Sequence, residues 1–153
     1  MNRKLISAQY EEIKLVVHRD GFTGHGTGVH TRDGYTIVTW SDHGPCFTIH
    51  LNADMPVNRR RFTLAHELGH ILLDHFLSTC TLDVEEQEGA ANYFASCLLA
   101  PVARVLMLPE VTVAAVADTF VLSSGAAKHA HNRALRAMNR APSQTLYDHQ
   151  LTP

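Results

Sequence analysis

The chain has few cysteines, little net charge and no long apolar run. Its three cysteines among 153 residues are too few for a disulfide framework, and their number is odd. A formal net charge of −2 argues against general affinity for nucleic acid or membrane surfaces. No run approaches the roughly 20 apolar residues that cross a bilayer, and the basic N-terminus lacks the apolar stretch of a signal peptide. These absences predict a cytoplasmic protein that forms a single domain over residues 1–153.

The first third of the chain predicts a mixture of helix and strand. Apolar residues spaced among charges over residues 3–18 predict an amphipathic helix. The glycine-rich residues 21–28 lack the lysine of a phosphate loop and predict a flexible connector. Residues 35–40 and 46–51 are rich in β-formers on either side of a turn, which predicts an antiparallel hairpin.

From Pro56 onward the sequence predicts helices. The first runs from Pro56 to about Phe76, since proline suits a helix start. The second runs from Val84 to Leu99 and ends before Pro101. Two or three more helices are predicted over 102–140, and the last residues are predicted to be loose.

His66-Glu67-Leu68-Gly69-His70 is the most informative stretch. On a helix, residues four apart share a face, so both histidines can direct a ring nitrogen at one ion. Glu67 lies beside the first histidine, where a carboxylate can take a proton from metal-bound water. This five-residue pattern also arises by chance, but here its flanks suit a half-buried helix. The stretch therefore predicts a metal site on a helix.

A hydrolytic zinc site uses a third protein ligand, and the second helix offers Glu85, Glu86 and Glu88. Glu88 heads a face of small and apolar residues that can pack against the first helix. Asn92 follows Glu88 by one turn and could orient its carboxylate. We therefore favour Glu88, with Glu85 as the alternative. Asp74 is either a supporting residue behind His70 or a solvated cap.

These residues resemble the ImmA/IrrE-type metallopeptidases. The shared pattern is H-E-L-G-H at 66–70, then E-G-A-A-N-Y-F-A at 88–95 and L-L-A-P at 98–101. The resemblance implies His66, His70 and Glu88 as zinc ligands and Glu67 as the catalytic base. It implies an α+β, mostly helical, zincin-like domain with a small antiparallel sheet beside the H-E-x-x-H helix. His75, five residues after His70, is predicted not to bind metal.

The resemblance also implies a function. Family members cleave a partner helix-turn-helix repressor and so relieve repression in stress, DNA-damage or phage-related responses. The alternative is a non-proteolytic anti-repressor that keeps zinc for structure and sequesters its partner. The intact Glu67 favours the protease, because a purely structural site needs no carboxylate beside its first ligand. Candidate donors to the reacting oxyanion remain open: they are His25, His30, His43, Arg61 and Tyr93.

Two further features bear on regulation and partners. Cys80 lies in the connector between the ligand-bearing helices and is a candidate inhibitory fourth metal ligand, or merely a small plug. Arg59, Arg60 and Arg61 fall in the first turn of the metal helix, where the helix dipole disfavours cations. They predict acidic partners, either internal carboxylates or a substrate chain.

The C-terminal helices allow two interpretations. Residues 113–127 predict helix, turn and helix with Ser123 as an N-cap, and a basic run follows. This arrangement could be a DNA-reading helix-turn-helix, but its apolar residues would pack equally well as a helical cap, 102–140, over a protease site. We favour the cap and keep single-stranded DNA as a possible activator through charge contacts.

Overall fold

The computed structural model describes residues 12–19, 22 and 33–140. The predicted connector at 21–28 lies outside the described residues apart from Phe22, and so do the residues after 140. The described chain forms a three-stranded sheet and five helices, in the order β1 (Glu12–His18), β2 (Gly34–Ser41), β3 (Gly44–Asn52), α1 (Val57–Leu72), α2 (Val84–Leu99), α3 (Val102–Val105), α4 (Val113–Phe120) and α5 (Ser124–Asn139).

Strands β2 and β3 form the predicted antiparallel hairpin. Their register sets Val38 opposite Phe47 and Thr36 opposite Ile49. Alternate residues of a strand point to opposite faces, so Phe47, Ile49 and Leu51 all turn to one side of β3, where they are buried. Helix α1, which carries His66 and His70, packs on this face.

The sheet is mixed, which corrects two predictions. Strand β1 lies parallel to β3 at one edge of the sheet, so the sheet is not wholly antiparallel. Residues 12–18 form this strand rather than the end of the predicted helix 3–18, and residues 3–11 lie outside the described part. Ile13, Leu15 and Val17 recur at every second position, and pairing with β3 satisfies the backbone. This pairing is an interaction between segments distant in the chain, so the local spacing of apolar residues does not reveal it.

Helix α1 packs across the sheet and ends earlier than predicted. Ile71 of α1 joins the apolar face of β3 in one buried cluster. The helix ends at Leu72 because Asp74 takes a left-handed conformation, with φ of 59°. The amide nitrogens of Asp74 and His75 then bond back to the carbonyls of Ile71 and His70, at 3.1 and 3.0 Å. This is a Schellman ending, and it turns His75 back toward the helix.

Helices α1 and α2 approach each other closely at Gly69. A methyl group built on Gly69 would lie 3.2 Å from the Ala91 Cα and 3.1 Å from a ring carbon of Phe94. Ala91 and Ala95 of α2 are fully buried in this contact. Small residues on both helices thus let the two backbones meet, which the sequence predicted for the Ala91 and Ala95 face. Helix α2 itself spans the predicted residues.

The three C-terminal helices form a second apolar cluster and are attached to α2. Ala127, Ala130 and Ala134 of α5 are buried against α3 and α4. Ser123 caps α5 as predicted, accepting a hydrogen bond from the Ala126 amide at 3.3 Å. Arg133 donates to the carbonyl of Ala100 at 2.7 Å. Across the described ranges, no helix combines the length and the apolar character needed to cross a bilayer.

The Gly69 contact predicts opposite effects for two glycine-to-alanine changes. Gly69→Ala should lower the free energy of unfolding by about 1–3 kcal/mol, because the added methyl group forces α1 and α2 apart. Gly89→Ala is the matched control on α2, since its methyl group would meet nothing within 4 Å. It should raise stability by about 0.5–1 kcal/mol through helix propensity. Thermal and urea unfolding followed by circular dichroism measure both, and equal stability of Gly69→Ala and wild type would contradict the packing argument.

Candidate metal centre

Two histidines of α1 direct the same ring nitrogen at one point. His66 and His70 lie one helical turn apart, and their Nε2 atoms are 3.0 Å from each other. Both side chains are buried, on the side of α1 that faces α2. The i, i+4 spacing read from the sequence therefore produces the predicted shared face.

Glu88 of α2 completes a group of three. Its Oε2 lies 3.3 Å from Nε2 of His66, and its Oε1 lies 3.3 Å from Nε2 of His70. One ligand atom from each residue falls within 4.8 Å of the others. Ligand atoms of a tetrahedral zinc site, each about 2.0–2.2 Å from the ion, are roughly 3.3–3.6 Å apart. Two imidazoles and one carboxylate at this spacing fit a divalent metal ion.

The start of α2 explains why Glu88 rather than its neighbours joins this group. Glu86 forms a capping box with Asp83, whose carboxylate accepts from the Glu86 amide at 2.8 Å. The Glu86 carboxylate in turn accepts from the Asp83 amide at 3.0 Å. Glu85 is exposed in the same first turn, where negative charge suits the helix dipole. Only Glu88 faces α1.

Asn92 orients His66, which corrects its predicted partner. The sequence suggested that Asn92 positions the Glu88 carboxylate, but its Oδ1 instead lies 3.1 Å from Nδ1 of His66. An amide oxygen only accepts, so Nδ1 of His66 carries the proton. The lone pair is then on Nε2, the nitrogen that faces His70 and Glu88. Asn92 thus fixes the tautomer that binds a metal.

His75 supports His70, a role that the sequence did not reveal. The two Nδ1 atoms are 2.9 Å apart. When Nδ1 of His70 donates in this bond, Nε2 of His70 keeps the lone pair that a metal needs. His75 was predicted to point off the metal face, and it does not belong to the group of three. The Schellman ending nonetheless brings it against His70. Asp74 supplies the left-handed turn that makes this ending possible.

Glu67 is buried beside the group and anchored from the sheet. Thr36 of β2 donates a hydrogen bond of 2.6 Å from Oγ1 to Oε2 of Glu67. Only 5% of Glu67 is exposed, and no lysine or arginine of the described ranges pairs with it, an unusual position for a carboxylate. Thr36 was not predicted as a site residue. A threonine in a strand is ordinary in sequence, and only the packing of α1 on the sheet gives it this role.

Burial sets the protonation of the site. It lowers the pKa of His70 to about 4, helped by the nearby rings of His66 and His75. The His70 ring is therefore neutral at pH 7, the form that binds metals. Burial also raises the pKa of Glu67 above the ordinary carboxyl value. The Thr36 hydrogen bond and His66 oppose that rise in pKa, and the charge of Glu88 adds to it. A carboxyl group shifted in this direction is better matched to accepting protons near neutral pH.

Several predicted residues do not join the centre. The sulfur of Cys80 is half-buried and is not one of the atoms gathered with His66, His70 and Glu88, so the predicted inhibitory ligation has no support in this geometry. Among the candidate oxyanion donors, Arg61 donates instead to the Phe120 carbonyl at 2.7 Å. His43 is exposed in the hairpin turn, and the further candidates His25 and His30 lie outside the described residues. Tyr93, next to Asn92 and largely exposed, remains available.

The geometry predicts that Glu88 is required for metal binding. Glu88→Ala should reduce metal content from about one ion per chain to a small fraction, because a three-ligand site loses its only carboxylate. Glu85→Ala, in the same helix but outside the group, should keep full content. Elemental analysis of the purified variants after exposure to zinc measures the number of metal ions per chain. Full metal content in Glu88→Ala would show that another residue is the third ligand.

The family comparison agrees with this arrangement. The family model Peptidase M78, described as the IrrE N-terminal-like domain, matches residues 23–131, more than half of the chain. The match covers the hairpin and both helices that supply the group of three. Among curated proteins, no sequence matches this chain. The resemblance to the ImmA/IrrE-type enzymes is thereby confirmed, and the chain belongs to the M78 family of metallopeptidases.

Proposed function

We propose that this protein is a zinc-dependent endopeptidase that cleaves a partner helix-turn-helix repressor. The observation that carries the peptidase part is the buried Glu67 beside His66, held by Thr36. An isolated buried charge is unfavourable. A site that only stabilised the fold would therefore gain nothing from burying this carboxylate. A carboxylate kept next to an open metal site serves hydrolysis.

Zinc is the metal that this donor set suits. Two histidines and one glutamate are the ligands of many hydrolytic zinc sites, in which a fourth position stays open. A bound zinc ion would supply Lewis-acid polarisation of the scissile carbonyl and would make a water molecule acidic. His66 and His70 would bind through Nε2, because Asn92 and His75 engage Nδ1 of each ring.

Glu67 carries the proton in this proposal. Its free carboxylate oxygen accepts a proton from the attacking water and later delivers that proton to the leaving amide nitrogen. Thr36 holds the other oxygen, so the carboxylate presents one orientation to both steps. Tyr93 is our candidate donor to the developing oxyanion, since it is exposed beside Asn92 and its hydroxyl can donate.

The choice of a repressor as substrate follows from the family resemblance. Cleavage of a DNA-bound regulator in a stress, DNA-damage or phage-related response is the corresponding physiological role. Single-stranded DNA remains a proposed activator, which would bind through the cations of the C-terminal helices. Cys80 as a brake on the site stays a prediction. The competing function is an anti-repressor that binds its partner without cutting it.

Glu67→Gln separates the peptidase from the anti-repressor. The substitution should keep the fold and the zinc while lowering the rate of repressor cleavage by about 10²- to 10⁴-fold, because only the proton acceptor is lost. The substrate is the repressor encoded beside this protein, with cleavage followed by gel electrophoresis and mass spectrometry. Relief of repression by Glu67→Gln at the wild-type level would favour sequestration instead.

Thr36→Val tests the anchor behind Glu67. Valine has nearly the same shape but donates no hydrogen bond, so the carboxylate loses its fixed orientation and cleavage should slow by about tenfold. Thr36→Ser, which keeps the hydroxyl, should stay close to wild type. Zinc content should be unchanged in both, as measured by elemental analysis. A Thr36→Val enzyme with the wild-type kcat would show that the hydrogen bond has no catalytic role.

A further inference from the structure

A cleft of about 1040 Å³ lies between α1, α2 and α5. Its wall includes Asn92, the same side chain that accepts a hydrogen bond from His66. From there the cleft passes Phe62 and Tyr93 to the exposed surface of α5. A molecule lying in it would therefore contact Asn92, the residue that orients one of the metal-binding histidines.

The described wall of this cleft contains cations and no carboxylate. The cations are Arg59, Arg133 and Arg136, His129 lies beside them, and no aspartate or glutamate lines the described wall. This is unexpected in a chain with a net charge of −2. We call it the basic cleft, defined by these four residues.

Two of the three arginines are already engaged. Arg59 pairs with Asp33 at 2.6 Å, as expected for one of the three arginines in the first turn of α1. Arg133 donates to Ser96 and to the Ala100 carbonyl, which are neutral groups. Within the described ranges, the side chains of Arg136 and His129 form no ion pair or hydrogen bond, and both lie on the same side of α5.

The rest of the wall suits a polypeptide. Asn58 and Asn132 offer amide groups that both donate and accept, as backbone peptide groups require. Phe62, Tyr93 and Leu122 supply apolar surface for side chains. We propose that the basic cleft binds an acidic, extended segment of the substrate polypeptide, with Arg136 pairing with a carboxylate of that segment. The proposal rests on the peptidase function given above and specifies the substrate that this site accepts.

Charge number and shape favour an acidic peptide over nucleic acid. Nucleic-acid affinity comes from neutralising a series of phosphates, with a steep dependence on salt. In the part of the chain that the structure describes, Arg136 is the one arginine of this wall whose side chain has no partner, which matches a single carboxylate rather than a row of phosphates. In a helix-turn-helix, moreover, the second helix presents its exposed side to DNA. In this chain that helix, α5, turns Arg133 and Arg136 toward the cleft wall shared with α1 and α2.

Binding to the zinc-loaded Glu67→Gln protein tests the proposal without cleavage. The probe is a fluorescent short peptide rich in glutamate, compared with the same peptide carrying glutamines. Fluorescence anisotropy should show roughly tenfold tighter binding of the acidic peptide, as expected for a charge pair in a partly enclosed site. Adding Arg136→Gln should remove most of that preference. Lys128→Gln, on the same helix but away from the cleft wall, removes the same charge and should preserve it.

The outcomes are distinct. Equal binding of the acidic and neutral peptides, or equal effects of Arg136→Gln and Lys128→Gln, would overturn the proposal. So would tighter binding of a short single-stranded DNA that depends on Arg136, since the cleft would then serve nucleic acid. If the peptide preference holds while the wild-type protein cuts no repressor, the endopeptidase function fails and the acidic-peptide cleft stands. If the wild-type protein cuts its repressor but Arg136→Gln changes neither binding nor kcat/KM, the acidic-peptide cleft fails and the endopeptidase function stands.

Discussion

The close contact of α1 with α2 at Gly69 is the constraint on which the rest of the site depends. The glycine lies in the same turn as His66 and His70, and the buried Ala91 opposes it one turn after Glu88. Because both residues are small, the helix backbones approach closely enough for the short Glu88 side chain to reach both imidazoles. A wider separation would leave two histidines and no third ligand. The metal centre is thus a consequence of helix packing as much as of its ligands.

Glu67, His66 and His70 are each also held by a partner outside the metal-binding group. Thr36 comes from the sheet, Asn92 from the second helix and His75 from the turn after α1. Such partners offset part of the cost of burying polar side chains and fix their orientation before any substrate binds. Burial acts beside these partners: it lowers the pKa of His70, so that this ring is neutral and can bind metal, and it raises the pKa of Glu67. The arrangement is prepared for hydrolysis in the folded chain.

The C-terminal helices pack against α1 and α2, and α5 supplies one wall of the cleft. Arg61 of α1 donates to the carbonyl of Phe120 at the end of α4, and Arg133 of α5 donates to the carbonyls of α2. These bonds hold the C-terminal cluster against both ligand-bearing helices. The cap interpretation of this region accounts for such contacts better than a free DNA-reading unit does.

Much of the ligand set was evident from the sequence, because it depends on local periodicity. The spacing of His66 and His70, the first-turn position of Glu86 and the helical face after Glu88 all follow from one helix at a time. The hairpin was predicted for the same reason, since alternation over a few residues is a local signal. The N-terminal residues 12–18 show the limit of this reasoning. Their apolar pattern also suited a helix, and only pairing with β3 decided for a strand.

The supporting residues show what the tertiary structure alone decided. Thr36 lies 31 positions from Glu67, and no spacing rule relates a strand threonine to a helix glutamate. Asn92 was recognised but assigned to the wrong partner, because its orientation depends on how α2 crosses α1. His75 was set aside as off the metal face, since a continued helix would point it away, and the left-handed Asp74 reverses the chain instead. The sequence by itself determined which residues could bind a metal and move a proton, because those properties belong to side-chain chemistry and helical period. Which neighbours orient them depended on contacts between elements distant in the chain, and only the folded structure supplies those.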